Sequence, residues 1–268
     1  MLACGAGGAA AQSRRSSAAT AHLYWANLDY DTIVEANLNG MGAKTVAQTV
    51  GPSYVAVSSS HLFWSTGDSS QTCSHTGTIV EADLNGSGAK AIVKRQPGSL
   101  NGVAVGGGHL YWAIGCAGTI VEAKLNGTGA KTIAKRQTPV GVAADSSHLY
   151  WTNRYSIVEA KLNGTGTKTI AKTAFPVVDV AVGGGHLYWS GFTKQLTGKI
   201  VEANLNGTGA KTIATVPDGI LLEVAVGGGH LYWSDAGHGT IAEANLNGTG
   251  AKTIVTNQRG AAAVAVGP

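Results

Sequence analysis

Residues 224–255 read VAVGGGHLYWSDAGHGTIAEANLNGTGAKTIV, and close copies of this stretch occupy nearly all of the remaining chain. Its HLYW element (HLFW in one copy) recurs every 38 to 48 residues, beginning at His22, His61, His109, His148, His186 and His230. A period of about 40 residues is typical of a β-propeller blade. The repeat therefore predicts a ring of similar blades.

Each copy contains four short apolar runs separated by turn residues, which predicts four strands. In the last copy we expect strand A at 224–226, strand B at 231–233, strand C at 241–246 and strand D at 252–255. The A to B link is GGGH and the C to D link is NGTG. Glycine and Asn-Gly adopt positive φ easily, so both links favour tight antiparallel hairpins.

The two ends of the chain are in complementary phase. The first copy starts at strand B with His22, and the chain ends in a solitary strand A at residues 264–266. Pairing of these two segments would complete a blade and remove an exposed edge from the ring. We therefore predict an all-β, six-bladed propeller of four-stranded antiparallel blades, closed by the C-terminal strand.

The repeat resembles the YWTD-type, low-density-lipoprotein-receptor class B propellers, in a secreted bacterial version. Six LYW or LFW strands are each followed by an I-x-E-A-x-L-N-G strand, and the nearest copy is LYWSDAGHGTIAEANLNG from Leu231. The aspartate of this motif is replaced in other copies, as in WAN at Trp25, WTN at Trp151 and WSG at Trp189. The resemblance covers residues 21–268 and implies a six-bladed fold; the replacements weaken any transfer of the family's ligand preferences.

The composition favours one domain at 22–268 behind a leader or linker at 1–21. With 268 residues, 13% charged residues and 39 glycines, the chain suits many short strands and leaves no room for a second domain. The MLAC start is like the end of a bacterial lipoprotein signal, although the preceding charged and apolar segments are missing. Either the start lies upstream or the match is chance. A secreted or surface-attached bacterial protein is expected, with no transmembrane segment after the leader.

Three cysteines and a mild charge give further expectations. Cys73 and Cys116 fall in B to C loops of consecutive blades, which makes them candidates for a disulfide in an oxidising compartment, whereas Cys4 belongs to the leader.

The formal net charge is +4. A nucleic-acid-binding protein would more often present a basic face with interleaved aromatic residues, so we expect no nucleic-acid partner. We expect a monomer.

Most residues that could suggest chemistry belong to the repeat. Six of the eight histidines precede strand B, six of the seven glutamates lie in strand C, and six lysines begin strand D. Equivalent positions in different blades lie too far apart to share one metal ion. We interpret the histidines as turn residues, the tryptophans as packing between blades, and the Glu and Lys residues as cross-strand pairs.

The variable loops predict a binding face. In antiparallel blades the B to C and D to A loops emerge at the same end of the ring, and these loops differ among the copies. Candidate ligand-binding residues in them fall into a basic group and an acidic group that also includes the loop histidine. The basic residues are Lys94, Arg95, Lys135, Arg136, Arg154 and Lys172; the others are Asp29, Asp31, Asp218, Glu223, Asp235 and His238.

Polar residues entering strand A suggest a second candidate site at the mouth of the channel. Asn101, Asp179 and Glu223, with Tyr54 nearby, are candidate oxygen ligands. Six-bladed lactonases hold a calcium ion at such a mouth, and oxygen ligands suit Ca²⁺. Only three candidates occur, however, and they come from non-consecutive positions around the ring.

These patterns favour a non-enzymatic, extracellular binding propeller whose partner is a protein, a peptide or a cell-wall glycan. The sequence has no G-x-S-x-G and no H-E-x-x-H motif. One alternative is a calcium-assisted, lactonase-like hydrolase or lyase at the channel mouth, the only alternative that requires a cofactor. A second alternative is lectin-like glycan binding, although the repeated aromatic residues lie in strands rather than in exposed loops.

Overall fold

The computed structural model describes residues 21–67, 76–98, 100–258 and 260–268. This part of the chain forms 24 strands in six four-stranded antiparallel sheets. Blade 1 contains β1 (His22–Asn27), β2 (Thr32–Asn37) and β3 (Lys44–Gln48). Blade 2 contains β4 (Pro52–Val57), β5 (His61–Thr66), β6 (Thr76–Asp83) and β7 (Lys90–Pro97). Blade 3 contains β8 (Leu100–Gly106), β9 (His109–Ile114), β10 (Thr119–Lys124) and β11 (Lys131–Ala134).

The second half of the ring repeats this order. Blade 4 contains β12 (Pro139–Ala144), β13 (His148–Asn153), β14 (Ser156–Lys161) and β15 (Lys168–Lys172). Blade 5 contains β16 (Val177–Gly183), β17 (His186–Phe192), β18 (Gly198–Asn204) and β19 (Lys211–Val216). Blade 6 contains β20 (Leu221–Gly227), β21 (His230–Asp235), β22 (Thr240–Asn245) and β23 (Lys252–Val255). The last strand is β24 (Ala261–Gly267).

Strand β24 completes blade 1, as the phase of the repeat predicts. It pairs antiparallel with β1, with His22 opposite Gly267 and Trp25 opposite Val264, and the sheet order is β24-β1-β2-β3. β24 therefore occupies the inner, strand A position, and it contacts the strands A of both neighbouring blades, β20 and β4. The predicted all-β, six-bladed architecture and its closure are confirmed.

The inner strands are longer than the sequence predicts. In blade 6, strand A runs from Leu221 to Gly227, and Leu221 pairs with Asp235 before a register shift that ends at Val224. The same irregularity occurs before Val55, Val142 and Val180. A bulge bends a strand and changes the direction of its side chains. Here it separates the regular Val-Ala-Val segment from the residues at the channel mouth.

The core consists of six clusters, each shared by neighbouring blades. In one of them Trp233 of blade 6 packs with Ala181 and Tyr188 of blade 5 and is 3% exposed. Burial of a large aromatic side chain between two sheets is a major favourable contribution to folding. The interpretation of the tryptophans as packing between blades is therefore confirmed.

The C to D turns also join neighbouring blades. At Gly127, with φ +79°, an added Cβ would overlap the carbonyl oxygen of Ile92 in the preceding blade, and Gly164 meets Ile133 in the same way. Gly129, two residues later in the same turn at φ +70°, has nothing within 4 Å. The first glycine of each NGxG turn therefore serves two purposes, because it supplies positive φ and permits close contact with the previous blade.

The repeated His, Glu and Lys residues meet on one sheet. In blade 1, Glu35 contacts His22 Nδ1 at 2.7 Å and Lys44 Nζ at 3.0 Å. The corresponding Glu–Lys pairs in the other blades are Glu81–Lys90, Glu122–Lys131, Glu159–Lys168, Glu202–Lys211 and Glu243–Lys252. The predicted cross-strand pairs are confirmed, while the histidines contact acidic side chains in addition to their place beside the turn.

Candidate binding face and channel mouth

The B to C and D to A loops lie at one end of the ring, which we name the variable-loop face. Backbone hydrogen bonds join the two classes of loop, as in Thr49 N to Asp31 O (2.8 Å), Gln137 N to Gly118 O (3.0 Å), Thr173 N to Tyr155 O (2.9 Å) and Gln258 N to Gly239 O (2.8 Å). The A to B and C to D links form the opposite end, the turn face. The described part of the variable-loop face is thus a set of interlocked loops rather than separate ones.

Side chains from the D to A loops also reach the repeat tryptophans. Trp151 Nε1 donates to Gln137 Oε1 at 3.2 Å, and Trp25 Nε1 donates to Gln258 Oε1 at 3.0 Å. In each case an asparagine two residues after the tryptophan donates to the same glutamine oxygen. These contacts hold the loops against the blade and were not predicted from the sequence, although the recurring Gln is a visible signal.

The six cations of the basic group are all exposed. Lys94 and Arg95 lie within β7 and Lys172 ends β15, so these three belong to strands D, which run further than predicted, and not to the loops. We name them the basic sector: Lys94, Arg95, Lys135, Arg136, Arg154 and Lys172. None of them forms an ion pair with any residue that the structure describes. Between residues 94 and 172 the only acidic residues are Glu122, Asp145 and Glu159, which lie in strand C or in an A to B turn. Asp68, in the B to C loop of blade 2, lies outside the described residues. Among the residues that the structure describes, the basic sector therefore has no ion-pair partner.

The acidic group does not form a comparable surface. Asp29 and Asp218 are exposed, and Asp31 is partly buried and accepts a hydrogen bond from Gly51 N at 2.8 Å. Glu223 is 5% exposed and Asp235 is 3% exposed. Fewer carboxylates than expected are therefore available on this face, because Glu223 and Asp235 use theirs in hydrogen bonds inside the fold.

Asp235 organises the loop that carries His238. Its Oδ1 accepts hydrogen bonds from the backbone N–H groups of Ile220 (3.1 Å), Gly237 (3.0 Å) and His238 (3.3 Å), and its Oδ2 lies 2.7 Å from His238 Nδ1. His238 itself is about half exposed, beside a groove of about 380 Å³ that Trp233 and Lys252 also line. Asp235 is therefore a loop-capping residue, and His238 is the accessible member of the pair.

At the channel mouth, one residue from each strand A forms a ring. These residues immediately precede the Val that faces a repeat tryptophan, and they are Tyr54, Gly102, Gly141, Asp179, Glu223 and Ala263. Below the ring lies an axial cavity of about 150 Å³. The structure thus brings Asp179, Glu223 and Tyr54 together, whereas Asn101 lies one position outside the ring, before Gly102, and is buried.

Both ring carboxylates accept hydrogen bonds from the next blade. Asp179 Oδ2 accepts from Val224 N at 3.1 Å, and Glu223 Oε2 accepts from Val264 N at 2.8 Å. Burial raises the pKa of Asp179 to about 7, against the lowering effect of the Val224 and Val180 N–H groups. Burial, followed by the neighbouring charge of Asp179, raises the pKa of Glu223. The loss of hydration on burial thus favours the protonated form of each carboxyl.

Tyr54 belongs to blade 2, across the axis from Asp179 in blade 5. Burial raises the pKa of the Tyr54 hydroxyl, and the charges of Glu223 and Asp179 raise it further. The Tyr54 hydroxyl is therefore close enough to both carboxyls for their charges to act on it. A Cβ added at Gly141 would overlap the Asp179 side chain, so glycine at this ring position leaves space for Asp179.

These groups fit a calcium ion poorly. Ca²⁺ takes about six to eight oxygen ligands, mostly ionised or strongly polar. Here one oxygen of each carboxylate is bonded to a backbone N–H, and burial disfavours the charged forms. In the ranges that the structure describes, no three His, Cys, Asp or Glu side chains are grouped so as to hold a metal. The arrangement is that of a structural polar cluster.

A further set of hydroxyl groups at the mouth was missed by the sequence analysis. The residue after the tryptophan is Ser or Thr in four blades, and its oxygen accepts from the N–H of the ring residue of its own blade: Ser65 from Tyr54, Thr152 from Gly141, Ser190 from Asp179 and Ser234 from Glu223. Thr152 and Ser190 also donate to the next blade, at Val178 O and Leu222 O. The sequence signal for these contacts was the Ser or Thr that follows the repeat tryptophan. Its hydroxyl group joins neighbouring blades at the bulge.

Only one of the three cysteines, Cys116, lies in the described part of the chain. Cys116 is disulfide-bonded, while Cys4, Cys73 and nearly all of the leader lie outside the described residues. The pairing of Cys116 with Cys73 therefore stays a prediction.

Over the same described ranges, no helix has the length and apolar character needed to cross a membrane.

Comparison with known proteins identifies the fold. No protein-family model matches the chain, and no curated protein matches it. It is similar to a chain of a crystal structure of a nidogen/laminin complex, with a TM-score of 0.80 and 18% identity over 92% of this chain and 98% of that one. It is also similar to TolB from Acinetobacter baumannii, with a TM-score of 0.70 and 11% identity over 92% of this chain and 66% of that one. At these identities the likeness shows a six-bladed propeller fold and nothing more specific.

Proposed function

We propose that this chain is a YWTD-type, extracytoplasmic binding propeller that docks a protein partner on its variable-loop face and carries out no catalysis. The observation that carries the proposal is the distribution of exposed apolar side chains. Of the six large hydrophobic residues exposed in the described part of the chain, five lie on this face: Leu28, Tyr30, Val50, Tyr155 and Leu196. Exposed apolar groups clustered at one end of a protein are characteristic of an interaction surface.

The supporting observations come from the loops and the comparison. The loops are hydrogen-bonded to one another, so the face is pre-organised, and a rigid surface loses little conformational entropy on binding. One similar fold was solved within a nidogen/laminin complex, which is a protein assembly. Asp235 occupies the aspartate position of the YWTD motif and caps its loop. The disulfide at Cys116 supports an oxidising, extracytoplasmic location.

Site-specific photocrosslinking in the cells that make the protein tests the proposal. A benzophenone amino acid placed at Val50 or Tyr155 on the variable-loop face should give the same crosslinked partner. Met41 is the matched control, because it is also a large hydrophobic residue and its exposure of 67% lies between those of Tyr155 and Val50, but it lies in a C to D turn on the opposite face. Crosslinks at Met41 and none at Val50 or Tyr155 would overturn the assignment of the face.

A further inference from the structure

Two arginines of the basic sector occupy a backbone conformation that arginine disfavours. Arg95 has φ +55° and Arg136 has φ +59°. Each is the fifth residue after the lysine that begins strand D, and each is followed by Gln. Asn257 occupies the same offset in blade 6, again followed by Gln, with φ +59°. Asparagine tolerates the left-handed region better than long side chains do.

The local backbone therefore does not explain the choice of arginine. Asparagine would meet the same turn requirement with less strain, as it does at Asn257. Non-glycine residues held in the left-handed region cluster at functional sites. At Arg95 and Arg136 the side chains are exposed and have no ion-pair partner among the described residues, so no ion pair within the described chain accounts for arginine at these positions.

The cations of blades 3 and 4 are held next to one another by the loop hydrogen bonds. The loop after Lys135 and Arg136 is tied to blade 4, because Thr138 N donates to Asn153 Oδ1 at 3.0 Å, beside Arg154. The loop that follows Lys172, the last residue of β15, is tied to the same turn, because Thr173 N donates to Tyr155 O at 2.9 Å. Arg154 thus lies between two cationic loops.

An aromatic side chain lies within this cationic group. Tyr155 is 44% exposed, and the Arg154 guanidinium carbon lies 5.5 Å from the centre of its ring. Stacking on the ring restrains the guanidinium while leaving its N–H groups available. Tyrosine and arginine are the residues most enriched at the energetic centres of protein interfaces.

From these observations we infer that the basic sector docks an acidic segment of the partner protein, rich in Asp and Glu, with Arg154 and Tyr155 at its centre. This inference rests on the proposed function and specifies the chemistry of its partner. Arginine forms paired hydrogen bonds with carboxylates, and no ion pair among the described residues offsets the positive charge of the basic sector. The exposed tyrosine favours a peptide over a purely ionic polymer, because it adds apolar contact area.

The test measures fluorescence anisotropy with a short labelled peptide rich in Asp and Glu, and with the same peptide in which every acid is replaced by its amide. The acidic peptide should bind in a salt-sensitive manner and the amide peptide should not, since screening weakens exposed ion pairs. Arg95→Asn with Arg136→Asn should weaken binding about tenfold. This double variant should melt at the same temperature as the wild type or higher, because Asn suits the left-handed conformation.

The turn face supplies a matched control. Lys124 and Lys161 are exposed at the ends of strands C, where other blades have asparagine, as at Asn204 and Asn245. Lys124→Asn with Lys161→Asn removes the same charge and should leave peptide affinity unchanged. Equal weakening by both double variants would overturn the inference in favour of a net-charge effect. Lys135→Gln with Lys172→Gln is a second test variant with no change at a strained position, and it should also weaken binding.

Other anions complete the test. Binding of heparin oligosaccharides or polyphosphate without binding of the acidic peptide would replace the inferred partner with a different class of polyanion. If no anionic probe binds but a benzophenone at Tyr155 crosslinks a partner, the inferred acidic partner is overturned and the proposed function stands. If no anionic probe binds and neither Val50 nor Tyr155 gives a crosslink, the inference and the proposed function are both overturned.

Discussion

The Glu223 carboxylate accepts a hydrogen bond from the backbone N–H of Val264 at 2.8 Å, across 41 residues of sequence. Glu223 lies in the last complete blade and Val264 lies in β24, the strand that closes the ring. A buried side chain therefore fastens the closing strand from the neighbouring blade, in addition to the backbone pairing of β24 with β1. Asp179 makes the corresponding bond to Val224 one blade earlier.

The first prediction compares two replacements of Glu223. Glu223→Gln keeps an acceptor for Val264 N–H, whereas Glu223→Ala leaves that buried donor unsatisfied. Because both replacements remove the carboxylate, their difference reports the lost acceptor together with the lost packing of the longer side chain. The alanine variant should be less stable than the glutamine variant by about 1 to 3 kcal/mol in urea unfolding. Equal stabilities would mean that water or a rearranged strand satisfies Val264.

A second prediction concerns pH. Burial raises the pKa of Asp179 from 3.8 to about 7, so the folded state binds a proton more tightly than the unfolded state does. The stability associated with this proton is fully present below pH 3.8 and is lost as pH rises to about 7. Asp179→Asn cannot ionise and should escape this loss.

Thermal unfolding across this pH range measures the effect. The stability of Asp179→Asn relative to the wild type should rise with pH, by roughly one to a few kcal/mol, since each unit of pKa difference corresponds to about 1.4 kcal/mol. Asp29→Asn removes a carboxylate at an exposed position and controls for the change in net charge. A constant difference between wild type and Asp179→Asn across the range would contradict burial of an ionisable Asp179.

The third prediction separates two requirements for glycine within one turn. Gly129→Ala places a Cβ at positive φ in open space and should cost about 1 kcal/mol. Gly127→Ala has similar φ but directs its Cβ at Ile92 O in the preceding blade. Overpacking of that contact should cost about 1 to 3 kcal/mol more. Denaturant unfolding of the two variants checks the order, and equal losses would indicate that the blades can separate locally without cost.

The fourth prediction is the partner of Cys116. Peptide mapping of the purified protein under non-reducing conditions should recover a Cys73–Cys116 linked pair, as the sequence positions in the B to C loops of consecutive blades predict. Cys73→Ser with Cys116→Ser should lower stability by about 3 kcal/mol, because the crosslink restricts a long loop in the unfolded chain. Recovery of Cys116 linked to Cys4 instead would disprove the pairing.

Much of the architecture follows from local signals, and much of the channel mouth does not. The spacing of HLYW, the Asn-Gly turns and the unpaired strand at the C-terminus predict the blades and their closure, because each depends on residues close in sequence or on strict repetition. The sequence also identifies Asp179, Glu223 and Tyr54 as neighbours of the channel. It does not indicate that Asp235 is buried, since a loop aspartate in this motif can equally face solvent.

The sequence by itself determined the number of blades, the order of their strands and the face on which the loops vary, because these depend on periodicity and turn chemistry. Only the tertiary structure decided which polar groups meet. Tyr54 and Asp179 lie in opposite blades, and their approach depends on ring size and on the bulge that begins each inner strand. Arg95 and Arg136 likewise match Asn257 in sequence position, but only the backbone dihedral angles show that arginine is strained there.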